Sequence, residues 1–270
     1  MAEPAPDFAI LIPARYASQR YPGKPLAELR GAGGEARSLI RRSWEAASAI
    51  ASSNRVWVAT DDARIADHVT AFGGQVVMTP ETCRNGTERC AAAIEALGPV
   101  APIVVNLQGD APLTPSFVVV DLVAALAADP EAVMTTPAVR CSPTLYRHLV
   151  TDQAQGRVGG TTVVFNAERR ALYFSKRVIP HVPEARAEAH AQVHLHLGVY
   201  AYRPAALAAY AATAPSPLED LEGLEQLRFL ETGQVIRVVP FAPLEWDCIE
   251  LNNPEDVPAI EAVLRQRLMQ

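Results

Sequence analysis

An α/β fold with a mainly parallel sheet covered by helices is predicted by two observations. Short β-branched runs alternate with amphipathic stretches through the first half of the chain, and at 270 residues the length exceeds a usual single domain without reaching two ordinary ones. The expected strands are residues 8–12, 56–59, 75–78, 103–106 and 132–139. Between them, 38–51, 63–72, 87–97 and 116–128 carry apolar residues at helical spacing, with Ile65, Val69 and Phe72 as one stripe. Asn85, followed three residues later by Glu88, resembles a capping box that opens the third helix.

Beyond Val139 the regularity weakens. A turn-rich stretch, 141–160, precedes strand-like runs at 161–165, 172–174 and 196–202, and 180–192 reads as a loop or frayed helix. Ser216-Pro217-Leu218-Glu219 supplies a serine cap, a proline at the first helical position and an acid at the third, so a helix is expected to about Glu231, ending at Gly233. Asn253-Pro254-Glu255-Asp256 repeats that start, and Val257, Ile260 and Leu264 predict a closing helix.

Hydrophobic residues make up 49% of the chain and charged ones 20%, which excludes a disordered or collagen-like polymer. Twenty-four Lys and Arg against 30 Asp and Glu give a net charge of −6, opposite in sign to a general nucleic-acid or anionic-membrane binder. An anionic substrate therefore requires cations gathered in one place. No apolar run reaches the length of a membrane span, and the start Met-Ala-Glu-Pro-Ala-Pro lacks the basic and apolar regions of a signal peptide, so a cytoplasmic location is expected. Cys83, Cys90, Cys141 and Cys248 form no Cys-x-x-Cys pair and read as reduced thiols.

The needed cations are found in residues 12–25. Arg15, Arg20 and Lys24 fall here with no acid, just after the first strand, and a loop leaving the carboxyl end of such a strand lies where ligands bind. Gly23 permits close backbone approach, the two arginines can fork onto a triphosphate, and the lysine adds a point charge. A solvated basic loop is the competing reading. Neither a P-loop nor Gly-x-Gly-x-x-Gly is present, and Gly31-Ala-Gly33-Gly34 reads as a turn. The second informative segment, Val104-Val-Asn106-Leu-Gln108-Gly109-Asp110, is a buried-type strand ending in an amide, a glycine and a carboxylate. Asp110 suits Mg²⁺, which takes one or two protein carboxylates and completes its shell with phosphate and water. A turn aspartate fits that motif equally well.

Pro13-Ala-Arg15-Tyr-Ala-Ser18-Gln-Arg20-Tyr-Pro-Gly23-Lys24-Pro25-Leu26 resembles the nucleotide-binding signature of the 3-deoxy-manno-octulosonate (Kdo) cytidylyltransferases. Further stretches match in the same order: Ala59-Thr-Asp61-Asp62, Gly86-Thr-Glu88-Arg89, Asn106-Leu-Gln108-Gly-Asp110, Leu172-Tyr-Phe-Ser175, His196-Leu-Gly-Val-Tyr200-Ala-Tyr202, and Ser216-Pro-Leu-Glu219 through Leu224-Glu225-Gln226-Leu227-Arg228. The resemblance implies a Rossmann-like sugar-nucleotidyltransferase fold, CTP as donor, Mg²⁺ as cofactor, a small anionic acceptor and a homodimer. It divides the chain into a CTP-binding portion (1–139), a β-rich acceptor and dimer portion (140–215) and closing helices (216–270). Arg15, Lys24 and Asp110 are implied to be catalytic, with Ala14, Ser18, Arg20, Asn85, Gly86 and Arg89 completing the CTP site. Arg89, Gln108, Lys176, His196, Tyr200, Glu225 and Gln226 are implied around the acceptor, and Asp110 with Asn252 at the metal. Read from the residues alone, His196 and Tyr200 share one strand face as core residues would, and Glu225 is an exposed helical acid.

Four positions depart from the family pattern. Ala111 replaces an acid after Asp110, Asn252 replaces the second metal aspartate, Thr162 replaces a lysine, and Lys176 replaces an arginine. The last change loses a forked grip on carboxylate. The departures lie on the metal and acceptor side and leave three readings open: transfer to Kdo, transfer to another anion such as a different sugar acid or a phosphonate, and CTP binding without catalysis.

Overall fold

The computed structural model describes residues 6–18, 20–246, 248–267 and 269. Its main body is a ten-stranded sheet. The first half supplies β1 (Phe8–Ala14), β4 (Val56–Thr60), β5 (Gln75–Met78) and β6 (Ile103–Leu107), ordered β5-β4-β1-β6 and all parallel. Side chains alternate across β1. Ile10 and Ile12 pack with α1 (Leu39–Ser48), α2 (Ala63–Ala71) and α4 (Ser116–Ala127), whereas Leu11 faces the core shared with α3 (Gly86–Leu97) and α6 (Pro204–Ala212). A two-stranded hairpin, β2 (Glu28–Arg30) and β3 (Ala36–Ser38), turns through residues 31–34 as expected. Arg42 of α1 braces it, donating to the Leu29 carbonyl at 2.6 and 3.1 Å.

The second half extends the same sheet. Beyond β6 come β11 (Val199–Tyr202), β7 (Met134–Arg140), β10 (His194–His196), β8 (Thr161–Phe165) and β9 (Ala171–Ser175), while β12 (Ile236–Phe241) lies parallel along β7. β11 runs antiparallel to β6, so the sheet is mixed. The run expected as one strand at 196–202 is two strands, because the chain turns at Leu197 and Gly198 to cross from one side of β7, where β10 lies between β7 and β8, to the other, where β11 lies between β7 and β6. The 180–192 stretch holds a 3₁₀ segment, Glu184–Gln192.

Three helical features differ from the sequence reading. The turn-rich stretch contains α5 (Pro143–Ala154), whose cap Ser142 accepts from the Leu145 amide, and α6 follows β11. Proline opens both helices, the same signal that was read at Pro217. The helix expected from Pro217 to Glu231 is two, α7 (Pro217–Glu222) and α8 (Gln226–Glu231). Gly223 separates them at φ 60, and the leucine spacing carries across the break. The closing helix α9 (Val257–Gln266) packs Ile260 and Leu264 against Leu29 and Leu39.

Candidate active site

The strand order reverses at β1. After β1 the chain lays down β4 and β5 on one side and then crosses to place β6 on the other, so the crevice outside the carboxyl ends of β1 and β6 is the switch point at which such sheets bind ligands. A cavity of about 840 Å³ occupies this crevice. Its walls include Ala14, Arg15, Ser18, Arg20 and Lys24 from the loop after β1, Asn85, Gly86 and Arg89 from the start of α3, Gln108 and Asp110 after β6, and Glu225 and Asn252 from the C-terminal region. Two glycines shape it. Gly23 sits at φ 72 where a Cβ would lie 3.0 Å from the Tyr16 ring, and a Cβ on Gly109 would lie 3.0 Å from the Pro13 carbonyl.

The cationic loop is held from the far end of the chain. Lys24 Nζ donates to Asp110 Oδ2 at 2.5 Å and to the Leu251 carbonyl at 3.1 Å, Arg20 donates to Asn252 Oδ1 at 2.7 Å, and the Leu251 amide closes onto the Asp110 carbonyl at 2.9 Å. Arg15 is exposed at the cavity wall. Arg89 is buried, donating to Thr79 Oγ1 at 2.6 Å and pairing with Asp61 at 2.8 Å. Sequence reading gave Asp61 no role of its own; its place directly after β4 is the signal that could have shown one.

The start of α3 forms the opposite wall. Asn85 Oδ1 accepts from the Glu88 amide at 2.8 Å, confirming the cap, but the Glu88 carboxylate reaches the Arg84 amide instead of that of Asn85. Glu225 is half-buried instead of exposed, accepting from the Gly86 and Thr87 amides at 3.3 and 2.9 Å. A carboxylate there meets the positive end of the helix, although burial pushes its pKa up overall. Asn85 Nδ2 also donates to Tyr210 Oη at 2.9 Å, and Tyr210 donates to Glu219 Oε1 at 2.8 Å. Arg228, 1% exposed, grips both Glu219 oxygens at 2.6 Å and stacks on the Tyr210 ring. Sequence reading assigned no role to Tyr210, since 125 residues separate it from Asn85, and gave Glu219 only its part in the helix start, where it does complete a capping box with Ser216.

Of the remaining expected acceptor residues, His196, Tyr200 and Gln226 are buried outside the cavity wall and Lys176 is half-buried. His196 bonds through Nε2 to Thr136 Oγ1 at 2.8 Å. Thr136 gives its one proton to the Val199 carbonyl, so it accepts from His196, which places the imidazole proton on Nε2. Burial pushes the His196 pKa down to about 3. Tyr200 packs 5.5 Å from that ring and donates to Gln226 Oε1 at 3.4 Å, leaving the buried Gln226 Nε2 without a partner. The two rings remain neighbours although they belong to different strands. Lys176 lies beside Gly223, its amide donating to Glu222. Thr162 is buried, bonding to the Arg177 carbonyl and the Ile179 amide.

Asp110 and Asn252 reach one cavity with oxygen donors, although among the described residues no three His, Cys, Asp or Glu side chains gather as a metal cluster. Glu250, which sequence reading passed over, lies nearby, its pKa raised by burial and by the Asp110 carboxylate. The four cysteines form no disulfide; burial raises the Cys83, Cys90 and Cys141 thiols. Among the described residues no helix is long and apolar enough to cross a membrane.

A mixed α/β sheet with a cationic loop at its switch point forms a crevice suited to an anionic ligand. A family model described as Cytidylyltransferase matches residues 9–236. Over 254 residues the chain is 44% identical to a 3-deoxy-manno-octulosonate cytidylyltransferase of Maricaulis maris, covering 94% of this chain and 95% of the relative; the Chlamydia pneumoniae enzyme of that name is 42% identical over 252 residues, covering 93% and 91%. The solved complex of CMP:2-keto-3-deoxy-manno-octonic acid synthetase with CTP superposes at a TM-score of 0.82 with 33% identity, covering 97% of this chain and 99% of that one. The chain belongs to the 3-deoxy-manno-octulosonate cytidylyltransferase family.

Proposed function

We propose that this enzyme transfers CMP from CTP to a hydroxyl of Kdo and releases pyrophosphate. The observation that carries this reading is the convergence of Arg15, Arg20, Lys24 and Asp110 on one cavity at the switch point. The acceptor oxygen attacks the α-phosphorus, forming a new P–O bond as the bond from the α-phosphorus to the bridging oxygen breaks; that oxygen leaves with pyrophosphate and the hydroxyl proton passes to solvent. This chemistry needs in-line positioning and neutralisation of phosphate charge, which Arg15, Arg20 and Lys24 supply. Arg89, Gln108 and Glu225 line the acceptor side, while Lys176, His196, Tyr200 and Gln226 support it from behind.

The donors at Asp110 and Asn252 are oxygen only and fit Mg²⁺, a hard cation that keeps waters and shares phosphate oxygens. When bound, Mg²⁺ would neutralise the triphosphate; Asp110 contributes the carboxylate and Asn252 an amide oxygen. A homodimer through residues 140–215 is part of the same reading, with Leu172 exposed on edge strand β9, as is a cytoplasmic location. Equilibrium sedimentation giving a monomer mass would overturn the dimer, and recovery of the native enzyme in a membrane or organelle fraction would overturn the location.

Pyrophosphate release from CTP and Mg²⁺ is to be measured with Kdo, other sugar acids and phosphonates, and CMP-Kdo identified by mass. Turnover with a phosphonate but not Kdo would move the assignment to another acceptor, as the changes at Asn252, Thr162 and Lys176 would allow. CTP binding without turnover on any acceptor would make the chain a binding protein.

A further inference from the structure

The Asn85 side chain lies on the cavity wall, and its orientation is fixed without ambiguity. Its Oδ1 accepts from a backbone amide, that of Glu88, which can only donate. Its Nδ2 must therefore face Tyr210 Oη, 2.9 Å away. Tyr210 has one proton, and Glu219 Oε1 at 2.8 Å claims it. Glu219 can only accept, because both its oxygens lie 2.6 Å from Arg228 donors. Each bond in the series Arg228, Glu219, Tyr210, Asn85 thus has a single allowed direction. Tyr210, 1% exposed, can offer Asn85 nothing but an acceptor.

We propose that Tyr210 is a positioning residue for nucleotide binding: by accepting one Asn85 Nδ2 proton it fixes the amide so that the second Nδ2 proton is presented to an acceptor oxygen of CTP. This rests on the reading of the cavity as the CTP site. Without the tyrosyl oxygen the Asn85 amide is held through Oδ1 by the Glu88 amide but no longer at Nδ2, so the donor that faces the nucleotide loses its second restraint. The effect is on nucleotide affinity and passes through Asn85, since Tyr210 itself lies behind the wall.

The test is a double-mutant cycle on CTP affinity, read by calorimetry and by KM against kcat, with Tyr210→Phe, Asn85→Ala and the pair. Tyr210→Phe removes the hydrogen bond to Asn85 along with that to Glu219; through the loss at Asn85 it is expected to weaken CTP binding about three- to tenfold, raising its KM with little change in kcat. In the Asn85→Ala background the same substitution is expected to change affinity less than about twofold. Equal losses in both backgrounds, or no loss in the single variant, would overturn the proposal. If Tyr210→Phe fails to fold, the unmodified protein still decides: CTP must shift the Asn85 side-chain amide proton resonances, and unchanged resonances at saturating CTP would refute it. Absence of CTP binding by the unmodified enzyme would instead refute the nucleotide-site reading.

Discussion

Replacing His196 by glutamine should flatten the acid side of the stability profile. The imidazole is buried, bonded only through Nε2 to Thr136, and its pKa is driven down by burial to about 3 from an ordinary 6.5. Between those values the unfolded chain binds a proton that the folded chain refuses, so stability falls as pH drops below 6.5 and the loss is complete near pH 3. From pH 7 to pH 5 the linkage relation gives a loss of about 2 kcal/mol from this one group. Glutamine keeps a donor toward Thr136 and cannot titrate. Urea unfolding at pH 7 and pH 5 should therefore show the parent losing about 2 kcal/mol more than His196→Gln over that interval, other groups cancelling. Parallel losses would refute a neutral buried imidazole. An independent check needs no variant: the His196 ring resonances should stay in the neutral Nε2–H form down to pH 4.5.

Lys24→Ala should lower kcat/KM by roughly 100- to 1,000-fold in a pyrophosphate-release assay, the scale of losing one preorganised charge partner; an effect below about tenfold would remove Lys24 from the phosphate site. Arg228→Met strips Glu219 of its cation and should destabilise the chain by about 3–5 kcal/mol in urea unfolding, because it leaves without its charge partner a buried carboxylate that in the parent is held below its ordinary range by Arg228 and Tyr210 against the upward effect of burial. Asn252→Asp adds a charge beside Asp110 and should tighten Mn²⁺ binding to the CTP complex by about tenfold, read by electron paramagnetic resonance; unchanged affinity would exclude that position from the metal.

The parallel half of the sheet was legible because its evidence is local. β1, β4, β5 and β6 are short, mostly apolar runs of four to seven residues, and each helix between them repeats its own stripe. What escaped depends on pairing far along the chain. β12 is an ordinary alternating run with no nearby partner, and its place beside β7 is a contact across about a hundred residues. The division of 196–202 into β10 and β11 follows from which strands are free to receive them, a matter settled by the rest of the sheet. The α7–α8 break had a visible glycine, but the leucines at 218, 221, 224 and 227 continue one stripe across it. Here the left-handed turn overrode the periodicity.

The same distinction divides the site. The cationic loop could be read directly since its three charges lie within ten residues, and an acid-free run in a chain of net charge −6 is itself a signal. The surroundings of those charges could not be read, since Lys24 meets Asp110 86 positions away and Arg20 meets Asn252 across 232. Glu225 shows the consequence most clearly. Its leucine neighbours describe an exposed helical acid, and only the approach of the α3 N-terminus, 138 residues earlier, provides the amide donors that make half-burial of a carboxylate tolerable. A residue's type and local spacing therefore announce what charge it brings to the cavity. Whether that charge remains available to a ligand is set by partners that only the folded sheet brings together.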